Sequence, residues 1–136
     1  MSIETTAAAF FEACESGKGW AGCAVYCHDD AGFSCQSGAL AEVKTVKGYA
    51  DWMAGIFKPM PNASYDLKAF STDEARGVVT AYAVFKATHS VDGHIPATGQ
   101  STSSDYVYAM AFEDGKVRHV TKIWNDAVAL AELGWA

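Results

Sequence analysis

Basic side chains are scarce. Ten lysines and arginines stand against sixteen aspartates and glutamates, a formal net charge of −6, and Arg76 and Arg118 are the only arginines. A field of that sign repels phosphate backbones and anionic lipid, so no nucleic acid and no membrane is expected as a partner. Long apolar runs are missing as well, and none approaches the length of a membrane span. The opening "MSIETTAAAFFEACESGKGW" has no basic region and carries Glu4, Glu12 and Glu15 through its apolar part. That argues against a signal peptide and for a cytoplasmic protein. A glycine-rich phosphate loop, a nucleophile elbow and a dinucleotide fingerprint are all absent, which sets aside kinase, triad-hydrolase and nicotinamide chemistry. Repeats and low-complexity segments are lacking too.

The four cysteines, Cys14, Cys23, Cys27 and Cys35, fall in the first part of the chain. A metal set of Cys23, Cys27, His28 and Cys35 lacks the paired C-x2-C spacing of zinc sites, so no metal is expected. Cys14, Cys23 and Cys27 occupy apolar positions of predicted helices and read as small buried hydrophobes in a reducing compartment.

What is present is an ordinary globular composition, 50% apolar and 19% charged over 136 residues. That length suits one domain, residues 1–136, with a core large enough to need no staples. Ile3, Ala7, Phe10, Phe11 and Cys14 form one stripe of a helix that starts at Ser2 and stops at Gly17. Trp20, Cys23, Ala24 and Cys27 repeat the pattern over a shorter span, which "HDDAG" breaks before a brief strand "FSC". Thr45 caps a third helix with Val46, Tyr49, Met53 and Ile56 or Phe57 inside, ended by "KPMPN". Strands follow: "SYDLKAFS", "RGVVTAYAVFKATHS", "STSSDYVYAMAFED" and "KVRHVTKIWN", with an Asp-Gly pair setting a tight hairpin between the last two. Strands this long in a small domain must bend and twist, leaving a concave face. A last helix, "AVALAELG", closes the chain, and "VDGHIPATGQ" is an irregular rim.

Three helices followed by a curved, mostly antiparallel sheet of long strands resemble the cone-shaped α+β fold of the nuclear transport factor 2-like superfamily. Within it the chain is similar to the SnoaL-like polyketide cyclase branch. The stretches "GWAGCAVYCHDDAGFSC", "VKGYADWM", "FKATHSVDGHIPATGQ", "FEDGKVRHVTKIW" and "LAELGW" carry the likeness by their order and spacing. The resemblance implies a deep apolar pocket between helices and sheet, no cofactor, a hydrophobic small-molecule ligand, and a homodimer formed through the sheet. In the cyclases an Asp near the end of the last strand is the acid/base. Counting back from Glu132, Leu133 and Gly134 lands here on Asn125 rather than Asp126, and an amide cannot act as a general base.

Asp126 therefore has two readings, the cap of the last helix or a catalytic carboxylate in the pocket. Alternation divides the last strand into Val117, His119, Thr121, Ile123 and Asn125 against Arg118, Val120, Lys122, Trp124 and Asp126. The family count turns the first set inward, making His119 a candidate proton carrier, and sends Lys122 and Trp124 outward, with Trp124 an anchor for a partner sheet. His89, at the end of a long strand, is a second candidate proton carrier at the pocket mouth. Tyr108 and Asn125 are placed to polarise a ligand oxygen, and Tyr26 and Trp52 to roof the cavity. Two functions fit. One is a cofactor-free cyclase, isomerase or dehydratase that moves a proton next to a carbonyl. The other is a non-catalytic hydrophobic-ligand-binding or assembly domain, which an Asn at the family's Asp position favours.

Overall fold

The computed structural model describes residues 2–136. Helix α1 (Ile3–Glu15) starts where Ser2 accepts the Thr5 N–H at 3.2 Å, and it ends at Gly17 in the left-handed region. A side-chain oxygen at that first position satisfies a backbone donor with no partner within the helix. Helix α2 (Gly19–Cys23) runs into a 3-10 turn, Ala24–Tyr26. Strand β1 (Cys27–Cys35) is longer than "FSC" and takes in the "HDDAG" segment that sequence assigns to a break. Pairing with the last strand, with an irregularity between Cys27 and Gly32, holds that segment extended despite its turn-forming residues.

Helix α3 (Val46–Ile56) is capped by Thr45, which accepts the Gly48 N–H at 3.0 Å. Strands β2 (Ser64–Asp73), β3 (Val78–Thr88), β4 (Ser101–Glu113) and β5 (Lys116–Trp124) follow, then helix α4 (Asp126–Leu133). The sheet order is β1-β5-β4-β3-β2, antiparallel except for the parallel β1/β5 edge. Asp114 and Gly115 turn the β4–β5 hairpin, both at positive φ, as an Asp-Gly turn requires. The helices lie on one face of a five-stranded curved sheet, the α+β cone expected from the sequence. No helix of the described residues is long and apolar enough to cross a membrane.

The core fills the space between that face and the helices. Phe10, Phe11 and Cys14 of α1 and Val46, Tyr49 and Met53 of α3 are buried against Val79, Ala81 and Ala83 of β3 and Tyr106, Tyr108 and Met110 of β4. On β5 the inward set differs from the expected one. Glu113 pairs with Lys116 and Phe112 with Val117, but Ala111 pairs with His119, so Arg118 is an extra residue. A bulge of one residue reverses which side chains face the core. Val117 and Val120 are both buried, and beyond the bulge Lys122 and Trp124 point inward while Ile123 is 63% exposed. Trp124 is therefore no outward anchor. The outer face instead carries a cross-strand row of Ala69, Tyr82, Val107 and Ile123.

Candidate functional site

A cavity of about 270 Å³ opens between α3, β4, β5 and α4. Its walls are apolar: Trp52, Met53 and Ile56 from α3, Phe85 and Trp124 from the sheet, Leu130 and Leu133 from α4, and Trp135 beyond it. Glu132 anchors α4 over the sheet by accepting from Thr102 Oγ1 at 2.7 Å and the Ser103 N–H at 3.1 Å. Those two bonds hold its carboxyl below the usual range. Gly134, left-handed at φ 75°, ends the helix, and Trp135 turns back to donate its N–H to the Leu130 carbonyl at 2.8 Å.

An acid, Glu15, and an amine, Lys122, reach this lining from opposite ends of the chain. Glu15 is the last residue of α1 and Lys122 sits across from Tyr108 on the β4/β5 ladder, with Trp124 across from Tyr106. Lys122, only 6% exposed, donates from Nζ to Tyr49 Oη at 2.9 Å. Its Nζ lies 4.5 Å from the Trp124 ring centre, 5.0 Å from that of Tyr49, 5.2 Å from Tyr106 and 5.7 Å from Trp52. Both oxygens of Glu15 are taken, one by the Tyr106 hydroxyl and the other by Tyr108. The Tyr108 and Tyr49 oxygens are 2.8 Å apart.

Each phenol has a single proton, and that fixes the direction of the chain. With Glu15 ionised, Tyr108 gives its proton to Glu15, so Tyr49 gives its own to Tyr108 and accepts from Lys122. Amine and carboxyl are thus joined by two hydroxyls in one unbroken donor sequence. Burial pushes Glu15 above the ordinary carboxylate range, with Lys122 and the two tyrosines opposing. Burial also pulls Lys122 below the ordinary lysine value, opposed chiefly by Glu15. The C-terminal end of α1 adds partial negative charge beside Glu15, which acts in the same direction as burial. Tyr49, Tyr106 and Tyr108 are all raised by burial, so they stay protonated as conduits.

The residues singled out in the sequence are not brought together. Asp126 neither caps α4 nor faces the apolar cavity: its Oδ2 accepts the Ala39 N–H at 2.8 Å, tying α4 to the turn Gly38–Leu40. It borders an adjacent depression together with Asn125, Ser34 and Gln36, which shares Lys122 and Trp124 with the apolar cavity. Asn125 is exposed and makes no side-chain cap bond. His119 lies on the outer face, with Nε2 2.9 Å from Ser34 Oγ and its ring over Gly32, where an added Cβ would come within 2.6 Å of Nδ1. The bulge at Arg118 is what puts it there.

His89 is fully buried just after β3, where Nδ1 accepts the Trp135 Nε1–H at 2.8 Å and the Thr98 N–H at 3.4 Å. It fastens the rim segment and the C-terminal Trp135 rather than facing the acid–amine floor. Tyr26 packs at the edge of the core, outside the cavity lining, whereas Trp52 forms part of the wall and Tyr108 lies beneath the floor. Glu15 and Lys122 are the residues that sequence reasoning passes over. A signal exists for both. Glu15 continues the row Ile3, Ala7, Phe11 at intervals of four, and Lys122 is flanked at two-residue spacing by Val120 and Trp124.

Residues 7–120 match the family model described as the SnoaL-like domain. None of the curated proteins matches the chain. Among solved structures, IdmH from Streptomyces antibioticus, described as a candidate polyketide cyclase, superposes with a TM-score of 0.80 at 18% identity, over 98% of this chain and 99% of its own. AclR from Streptomyces galilaeus, described as a candidate hydroxylase, gives 0.77 at 20% identity, over 98% of this chain and 85% of its own. A protein of ketosteroid isomerase-like fold from Catenulispora acidiphila DSM 44928, in complex with trimethylamine, gives 0.71 at 12% identity, over 96% and 93%. Identities this low carry the fold and nothing finer, since one fold hosts many unrelated activities. The family match covers most of the sequence, and the chain belongs to the SnoaL-like domain family.

Proposed function

We propose that this chain binds a hydrophobic small molecule bearing a carbonyl group and moves a proton next to that carbonyl without a cofactor, in a cyclase-, isomerase- or dehydratase-type reaction. The observation that carries this reading is an acid and an amine joined by a hydrogen-bonded chain at the floor of an otherwise apolar cavity. Perturbed groups in a concave apolar site are where proton-transfer chemistry concentrates. The proton carriers we assign are Glu15 and Lys122, in place of Asp126, His119 and His89. Lys122 supplies donors for developing negative charge on the ligand oxygen.

In the same reading the protein is a single-domain cytoplasmic homodimer paired through the outer face of its sheet. A second reading, a carrier without turnover, is favoured by the solvent-facing Asn125 at the position of the family's acid/base. The test begins with a thermal-shift screen of uncharged aromatic and alicyclic ketones. Any binder is then followed by NMR for exchange of its α-hydrogens with deuterium. Enzyme action requires exchange by the parent chain, a fall of about 100-fold or more in Glu15→Gln, and little change in Asp126→Asn. Saturable binding with no exchange by the parent leaves the carrier reading in place.

A further inference from the structure

We propose that Lys122 is also an amine nucleophile, forming a reversible imine with an aldehyde or ketone carbonyl of the molecule held in the cavity. The inference rests on the pocket reading above and adds a covalent step to it. Three features of the structure support it.

The first is access. Lys122 is buried from bulk water yet belongs to the lining of the apolar cavity, so a ligand carbonyl seated there lies next to Nζ while exposed lysines meet only solvent. The second is the count of donors. An ammonium has three N–H bonds to satisfy, and among the described residues the one hydrogen bond that Nζ makes is to Tyr49 Oη. The four surrounding ring faces attract a cation, but they accept no conventional hydrogen bond. A neutral amine has one fewer donor to place and gains a lone pair for attack. Burial acts the same way, drawing Lys122 below the ordinary lysine value.

The third is an exit for the proton. Lys122 passes it to Tyr49, Tyr49 to Tyr108 and Tyr108 to Glu15, which burial already favours in the protonated form. The step then balances without any other reactant. The Nζ lone pair forms a bond to the carbonyl carbon, and the C=O π pair moves to oxygen, which takes up a proton. Nitrogen loses a proton to complete the carbinolamine, a proton from Glu15 carries the hydroxyl away as water, and the iminium nitrogen returns its remaining N–H proton to Glu15, so amine and carbonyl give imine and water. Glu15, which also reaches the cavity lining, is the acid that supplies the leaving hydroxyl. An imine nitrogen, once protonated, withdraws electrons from the adjacent carbon more strongly than the parent carbonyl does, which eases the proton removal proposed for the site.

Benzaldehyde is a suitable probe, being apolar, small enough for the cavity and unable to lose an α-hydrogen. The intact protein is incubated with it at neutral pH with cyanoborohydride, and the adducts are located by peptide mass mapping. The expected result is benzylation at Lys122 at least about tenfold faster than at any other lysine, since a carbonyl held in the cavity meets Nζ at a raised effective concentration that surface lysines lack. Lys122→Met should abolish that fast phase. Mapping in the parent stands on its own should the variant fold poorly. Equal labelling across surface lysines, or none at Lys122, overturns the imine. Quenching of tryptophan fluorescence by benzyl alcohol, which occupies the cavity but forms no imine, is read in parallel. Saturable quenching without a Lys122 adduct sinks the imine and leaves the pocket reading intact; absence of both sinks the two together.

Discussion

A carboxyl and an amine removed from water together are a costly choice for a core, and Glu15 and Lys122 must be judged against that cost. A buried pair is weak evidence for stability, while loss of one member alone leaves the other uncompensated, at a cost of ~3–5 kcal/mol. Lys122→Met should therefore destabilise the chain by ~3 kcal/mol or more, and adding Glu15→Gln should restore part of the loss. The pH dependence has a definite sign. Glu15 is raised by burial, so what its neutral form contributes is fully present below the ordinary carboxylate value of ~4.3 and is lost as pH rises through the higher folded value. Urea midpoints of the Lys122→Met single variant and of the double variant that adds Glu15→Gln should agree at about pH 4, where the carboxyl is neutral in both states. The single variant should fall behind as pH rises. A constant difference across that range would mean that Glu15 is not buried as described.

Individual elements are the most legible part of the sequence, where periodicity and caps agree. Thr45 illustrates this: its hydroxyl caps α3, and its backbone bridges to Gly32 of β1. Thr45→Ala should cost ~1 kcal/mol in chemical denaturation, the usual worth of such a cap. Thr45→Ser, which keeps the oxygen, should recover most of it. The Asp-Gly hairpin and the long strands β3 and β4 are readable for the same reason, because local chemistry and the tertiary arrangement want the same thing. The facing of β5 is not readable. Arg118 is accommodated as an extra residue opposite β4 with no special residue type to announce it, and the alternation on either side of it is regular. A strand read without its partner has no register, so alternation alone sends His119 and Ile123 inward and Lys122 and Trp124 outward. The acid–amine floor is hidden for a related reason: it joins residue 15 to residue 122, and sequence spacing carries no trace of such a contact. Asp126 is legible only as a helix-terminal acceptor, and its bond is to a turn far away in the chain.

At the scale of the whole molecule, the sheet has one face packed under helices and another whose central row is Ala69, Tyr82, Val107 and Ile123. The proposed homodimer uses that row, with Ile123 in the part that alternation gives to Trp124. Sedimentation velocity should find a dimer for the parent, and Ile123→Glu should shift it towards monomer by placing an unpaired charge in the contact. A parent that sediments as a monomer at all concentrations would remove the dimer from the reading. Trp124, facing the cavity, predicts the reverse pattern when truncated, with altered ligand binding and unchanged sedimentation.

Trp135 has a practical consequence. Its indole forms one side of the cavity and is tied to His89. Trp135→Ala would remove that wall and the indole that His89 holds at once, so one truncation would widen the hollow and loosen the rim together.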